Sequence, residues 1–261
     1  KQLGYKISPL NINISGRQWE YEEETKTLLQ PLTTIKGLGD AAMEQVVNNR
    51  PFHTAEDFLF NPDVKYSKLN KKGLDVLVRA GACEHLVDER FLGLKHFWSA
   101  AVVDRPKTKK KFSENIELYT EEGDFSKSEL ITFKTELTGI FPFNLVMTES
   151  IRDKLDRLPV VPISEYETAL SLDDDNFDAD TTLLVWFVPR KLTKRKTSRG
   201  SEYWIIDVID SNNALTSIKC WNPRATVDNI FVNQPYMARV DYSEQWGFST
   251  RSIGKNFRLL G

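Results

Sequence analysis

The chain has little cysteine, histidine or methionine, and it contains no long apolar run. Its two cysteines, Cys83 and Cys220, lie far apart and His53, His85 and His96 are scattered, so neither a disulfide framework nor metal-ligand spacing is present. No stretch of about 18 apolar residues occurs, and the N-terminus lacks the charged-then-apolar pattern of a secretory signal, so no membrane helix is expected and a cytoplasmic location fits. There is no initiator methionine, and position 1 reads as a boundary within a longer chain. A cationic surplus is missing too. The 35 Lys and Arg against 37 Asp and Glu leave a formal charge of -2, which argues weakly against a general polyanion binder, although the sum hides local segregation. With 261 residues and 40% hydrophobic content, there is enough material for about two domains with real cores.

What is present begins with Ile35, Lys36, Gly37, Leu38, Gly39 and Asp40, followed by a helix-competent run over 41–49. Two glycines one residue apart permit a tight turn with backbone N–H groups exposed, and the next helix presents its positive dipole end to the same spot. Asp40 reads as the N-cap, and Ala41, Ala42, Val46 and Val47 as the apolar face. With Lys36 alongside, the segment reads as a helix-hairpin-helix that holds a DNA phosphate without reading a base. The alternative is an ordinary helical corner in which the glycines only permit the turn.

Four stretches follow from the pattern. Residues 1–30 read as short strands and turns with a solvated acidic face at Glu20, Glu22, Glu23 and Glu24. Residues 31–98 have helical spacing; a second helix over 71–80 points Leu74, Leu77 and Val78 inward and ends at Gly81. Lys68, Lys71, Lys72 and Arg79 on this second hairpin read equally as a solvated face or as a second phosphate contact. Residues 99–180 read as connector: a basic tether over 105–111, a helix opened by the Ser126 and Glu129 capping box and closed at Gly139, a helix over 150–158, and an acidic linker at Asp173, Asp174, Asp175, Asp178 and Asp180. Residues 181–261 turn to strands over 183–188, 203–209, 215–221, 236–242 and 248–257, with a helical turn or two over 222–229, an order that fits a five-stranded oligonucleotide-binding (OB) barrel. The fold class is therefore α+β.

Two further segments are candidates for binding. Arg190, Lys191, Lys194, Arg195, Lys196 and Arg199 crowd a loop that would border the ligand face of such a barrel, and Tyr203, Trp204 and Trp221 would offer rings to single-stranded bases. Adjacent Tyr203 and Trp204 must point to opposite faces, so one of them is core. In the tether, Asn115, Ile116, Glu117, Leu118 and Tyr119 read either as a peptide plug that orders on a partner or as a strand packed on the chain's own body.

In order along the chain, these features resemble the C-terminal part of the bacterial replicative DNA polymerase III alpha subunits, the family C polymerases. Residues 9–15 look like the end of the fingers, Ile35 to Gly39 matches the hairpin glycines residue for residue, and Leu69, Asn70, Lys71 and Lys72 through Ala80, Gly81 and Ala82 look like a second hairpin. Residues 136–141 resemble the connector and residues 188–221 the OB strands with their basic loop. The resemblance implies that Lys36, Gly37, Leu38, Gly39, Lys71 and Lys72 hold primer-template duplex, that the OB residues meet single-stranded template, and that residues 115–119 bind the sliding clamp. Asn115 stands where the family prefers Gln and Tyr119 where Phe is common; Pro142, Phe143 and Asn144 replace a Ser/Thr-Gly-His-Pro turn. Gln30 and Pro31 replace a glycine-containing turn, and a divergent, phage-type relative fits these departures. The catalytic aspartates and their Mg2+ would sit in a palm preceding this segment, attached or separate, so the segment alone is expected to be inactive and to bind no cofactor. The alternative reading, from another class, is a free-standing, non-catalytic single-strand-binding adaptor of a replication complex.

Overall fold

The computed structural model describes residues 6–121, 123–172, 184–221, 230–251 and 253–261, and the chain divides into two units, Lys1–Phe141 and Pro142–Gly261. In the first, β1 (Lys6–Ile7), β2 (Glu20–Glu22) and β3 (Thr27–Leu29) form a small sheet with β3 central, β1 parallel to it and β2 antiparallel. Helices follow: α1 (Asp40–Asn49), α2 (Ala55–Leu59), α3 (Lys71–Arg79), α4 (Leu94–Trp98), which widens into a π-helical turn over Ser99–Val103, α5 (Lys109–Glu117) and α6 (Lys127–Thr138). Caps account for their limits. Thr54 with Asp57 and Ser126 with Glu129 form capping boxes, Asn70 accepts from the Gly73 amide, and Gly139 closes α6 at φ 74°. Asp40, expected as the N-cap, is instead the first residue of α1; Gly39 occupies the cap without a side chain, and the carboxylate lies in the first turn at the positive dipole end.

The core of this unit joins Ile35, Ala42, Met43 and Val46 to Leu74, Leu77 and Val78. Ala41 is exposed and Val47 packs only at the margin, so the buried face of α1 is rotated towards Met43. Gly73 lies inside α3, where glycine costs about 1 kcal/mol against alanine. Its place is explained by Ala42: a Cβ on Gly73 would come within 3.3 Å of the Ala42 methyl, so the two helices touch at their smallest residues.

The segment expected as a tether folds. Thr108 caps α5 by accepting from the Lys111 amide, Phe112 is fully buried, and Ile116 packs on the same core, so residues 99–141, read as connector, contribute helices to the first unit. Two apolar residues four apart suffice to dock a helix whose other positions are lysine and polar.

A salt-bridge cluster stitches α2 to the loop before α4. The Arg90 guanidinium meets Glu56 at 2.6 and 3.0 Å and Asp88 at 2.7 Å, and hydrogen bonding to Arg90 holds both carboxyls below their usual range. A depressed folded-state value stabilises above the unfolded value and is lost as pH falls through the folded one. Arg90→Ala should therefore cost about 1 kcal/mol at neutral pH, a figure kept small by partial exposure, and much less below pH ~3; urea titrations of both chains at the two pH values read this directly.

The second unit begins with α7 (Phe143–Val146), α8 (Glu149–Arg157) capped by Thr148, β4 (Val160–Pro162) and α9 (Tyr166–Leu172). Then come β5 (Leu184–Lys196), β6 (Glu202–Ile209), β7 (Leu215–Cys220), β8 (Tyr236–Arg239), β9 (Asp241–Ser243), β10 (Gly247–Thr250), α10 (Ile253–Asn256) and β11 (Phe257–Leu259). The sheet order is β11-β8-β5-β6-β7-β10-β9, with β4 beside the start of β5. Only Val240 separates β8 from β9, so β9 at one end of the path and β8, next to the other end, are halves of one strand, and the sheet curls on itself into an OB-like shape. A register shift between Pro189 and Lys191 bends β5, whose first part pairs with β8 and whose second part pairs with β6. Val185, Phe187, Ile206, Val208, Ile218 and Phe248 fill the interior.

Three expectations change here. The basic stretch 190–200 is mostly strand, with only 197–201 left as loop. The fourth expected strand is broken at Val240, and the fifth, 248–257, is interrupted by α10. The aspartates at 173–180, Leu183 and the helical turns expected over 222–229 lie outside the described residues.

The tight β6–β7 turn rests on one buried carboxylate. Asp210 accepts from the amides of Ser164 at 2.8 Å and Asn212 at 3.0 Å, and Asn213 takes a left-handed φ of 57°. Asp210→Ala orphans both donors and should destabilise the unit by about 2 kcal/mol, measured by chemical unfolding.

Candidate nucleic-acid interface

The first hairpin is built by a short 3-10 helix, Leu32–Thr34, and two tight bonds, Ile35 N–H to Leu32 O and Leu38 N–H to Ile35 O. The Lys36 amide donates to Leu137 O at 2.8 Å, which anchors the turn on α6 and leaves the Lys36 side chain exposed. Gly37 has φ 88°, a left-handed conformation that side chains disfavour. A Cβ there would lie 3.7 Å from Lys72 Cε, so the second basic helix brings its lysine stem against the first glycine. Among the described residues the amides of Gly37, Gly39, Asp40 and Ala41 have no protein acceptor. Four open donors at a positive dipole end, with Lys36 and Lys72 beside them, can take an anion; the exposed Asp40 carboxylate limits its approach from one side.

The other expected hairpin cations separate. Lys71 donates to Val103 O at 2.6 Å and tethers α3 to the π turn. Arg79 pairs with Asp75 one turn earlier, and that carboxylate also accepts from Trp98 Nε1 at 2.8 Å, so Arg79 is part of the packing. Lys68 and Lys72 remain exposed. Sequence reasoning missed Tyr66 and Arg105, whose guanidinium lies 3.7 Å over the Tyr66 ring. That contact joins two segments free of acidic residues, 64–73 and 105–113, and with them the exposed Lys65, Lys68, Lys107, Lys109 and Lys110. Arg105 is half-buried, burial lowers its pKa, and its Nη1 has no acceptor among the described residues. The absence of acids from both stretches was the available signal.

Residues 115–117 form the last turn of α5 and Leu118 and Tyr119 follow as its C-cap and exit, so the segment packs on the chain's own body as a helix end rather than as a strand. Asn115 Nδ2 donates to Ala100 O at 3.0 Å and Asp104 O at 2.7 Å. His96, buried, accepts from the Leu92 amide on Nδ1 and meets Ile116 O through Nε2 at 3.0 Å, while Tyr119 stacks on its ring at 4.1 Å. Glu117 and Leu118 project outwards, Leu118 with 70% of its surface exposed.

In the second unit the strand pairing sorts the basic residues by face. Arg195 lies opposite Tyr203, and Tyr203 stacks on Trp221 with centroids 4.9 Å apart. Lys194 lies opposite Trp204 on the other face, where Trp204 packs against the core. So Tyr203 is the outward ring of the adjacent pair, and Trp204 leaves the candidate platform. Lys194 meets Glu202 at 2.7 Å and Lys196 approaches it at 3.8 Å; the Lys194 ammonium lowers the Glu202 pKa. Arg190 is consumed at the bulge, donating to Asn233 Oδ1, whereas Lys191 and Arg199 are exposed. Trp246, absent from the sequence-level candidates, stands 56% exposed in the β9–β10 turn.

Comparison with known proteins bears on the first of these two surfaces. Residues 4–91 match the family model described as a helix-hairpin-helix motif. Over 114 residues of its N-terminal part the chain is 27% identical to a protein named DNA polymerase III subunit alpha from Thermotoga maritima, a match covering 44% of this chain and 13% of that relative. This is a DNA polymerase III alpha-like helix-hairpin-helix region. Within the helix-hairpin-helix region, Gly37, Gly39 and Lys72 form the open edge, and the match extends across the small sheet and the salt-bridged loop at Arg90. The chain spans about an eighth of the length of the relative. No helix among the described residues is long and apolar enough to cross a membrane.

Proposed function

We propose that this chain is the DNA-holding part of a family C replicative polymerase, with the helix-hairpin-helix region gripping primer-template duplex by its backbone and the OB-like unit taking single-stranded template. One observation carries the reading: the amides of Gly37, Gly39, Asp40 and Ala41 stand without acceptors beside Lys36 and Lys72, in the region that matches the hairpin motif. Backbone donors and point charges bind phosphate without base readout, which suits a protein that must follow any sequence. The face joining Tyr66 to Arg105 extends the same electrostatic track along the first unit. Nucleotidyl transfer, with its Mg2+, is assigned to a catalytic region outside this segment, in cis or in trans.

For clamp tethering through residues 115–119, Asn115, Ile116 and Tyr119 are held by the fold and Glu117 and Leu118 are offered. Capture by a clamp would require the last turn of α5 to unwind. Leu118→Ala, which disturbs no packing, should then abolish pull-down by a sliding clamp; retention of an unaltered variant-to-parent ratio removes the clamp from the proposal.

The main reading is tested by electrophoretic binding of a primer-template at low salt with heparin as competitor. Retention of the shifted band at a heparin charge equal to that of the DNA is expected. Indifference between the two polyanions refutes the reading.

A further inference from the structure

Between the C-terminal end of β7 and the β9–β10 turn lies a shallow depression of about 300 Å³, lined by Trp221, Ser243, Trp246 and Ser249. Two tryptophans at the rim of one open hollow are costly to leave in water, since each retains a large apolar area: Trp221 is 40% and Trp246 56% exposed. Each is held from behind. Tyr203 stacks on Trp221, whose amide donates to Thr250 O at 3.2 Å. The Trp246 amide donates to Ser243 Oγ at 3.1 Å, its carbonyl accepts from Lys219 Nζ at 2.9 Å, and the same ammonium lies 5.5 Å from its ring. Among the described residues Trp221 and Trp246 do not stack on each other, and both line the hollow.

We propose that this hollow receives one unstacked nucleobase of single-stranded DNA, with Trp221 and Trp246 supplying π-faces and the Ser243 and Ser249 hydroxyls reaching the base edge. The occupant follows from the chemistry on the same face. Arg195, paired across the strands with Tyr203, and Lys219 beside Trp246 put cations next to the rings, a combination that suits a planar base carried on an anionic backbone and not an apolar peptide. Hydroxyls at the edge permit any base to bond, so the slot adds affinity without strong sequence choice. The inference rests on the reading of the OB-like unit as a single-strand surface and adds to it a base-binding position centred on Trp246.

The test uses the whole chain and fluorescence anisotropy of two labelled 12-mers at 0.1 M salt, oligo-dT and an abasic strand of the same backbone. Trp246→Ala keeps the backbone bonds of the turn and should weaken oligo-dT binding about tenfold while leaving the abasic strand unchanged. Trp246→Phe, which restores a ring, should recover most of the loss. Equal affinity of parent and Trp246→Ala for oligo-dT, or an equal loss on both strands, overturns the slot while the single-strand reading stands. Failure of the parent to bind either strand overturns both.

Discussion

Reversing Lys36 and Lys72 to glutamate lowers affinity for a primer-template about a hundredfold at 0.1 M salt. The magnitude follows from counterion release: each phosphate contact contributes roughly 0.9 to the slope of log affinity against log salt, and at 0.1 M one contact is worth nearly a factor of ten. The double variant should flatten that slope by about 2. Both side chains are exposed, so the melting temperature should stay within error of the parent. Reversal of Lys26 and Lys127, exposed and away from the glycines, changes net charge equally and serves as the control. Should the control pair cost as much, general charge and not the hairpin accounts for binding. Gly37→Val provides the complementary evidence. A Cβ is in ordinary contact with Lys72 Cε and Val76 Cγ1 at 3.7 Å, but φ 88° is unfavourable to a branched side chain. The turn should reopen, the amide array disperse and duplex binding fall, while the barrel unfolds as before; undiminished affinity would take the glycine corner out of the binding surface.

The largest effect on stability is expected at Gly93. The Asp124 carboxylate crosses to the start of α4 and accepts from the amides of Leu94 at 3.2 Å and Lys95 at 2.7 Å. A Cβ on Gly93 would stand 2.4 Å from Asp124 Cγ, at φ 158°. Gly93→Ala must therefore expel the carboxylate and uncap the helix that carries buried His96 and Phe97, at a cost of about 3 kcal/mol from cap loss and strain together. For a unit of this size that corresponds to a fall of roughly 10 °C in calorimetric melting. Gly123→Ala, where φ is also positive but nothing lies within 4 Å of the new Cβ, should cost less than half as much. In a double-mutant cycle, Asp124→Ala should add little to Gly93→Ala, because the cap is already lost; additive losses would show that the carboxylate is not the cause.

Much of the helical region was legible because its signals are local. The Ser126 and Glu129 box, the Gly139 stop, the Gly81 end of α3 and the positive φ of Gly37 each concern a few neighbouring residues and a backbone preference. α5 was not legible, since three lysines mask a period carried only by Phe112 and Ile116, and those two matter only once a surface exists for them. Likewise β5 runs seven residues past Pro189, where apolar alternation fades, because its hydrogen bonds come from β6 and not from burial. Trp246 gave no sequence signal either: the ring it faces across the hollow, Trp221, is 25 residues away in the chain.

From the residues alone came the places where the backbone can turn, where a helix starts and stops, and where cations and rings are dense. Folding alone settled which of those groups remain available. Lys71 and Arg190 are spent on carbonyl oxygens, Asn115 and Tyr119 on the α4 region, Trp204 on the interior, while Lys72 is carried to Gly37 and Arg105 to Tyr66. The reason is physical: turn and cap energies depend on adjacent dihedrals, whereas burial, ion pairing and stacking depend on partners that only the packed chain brings within a few ångströms.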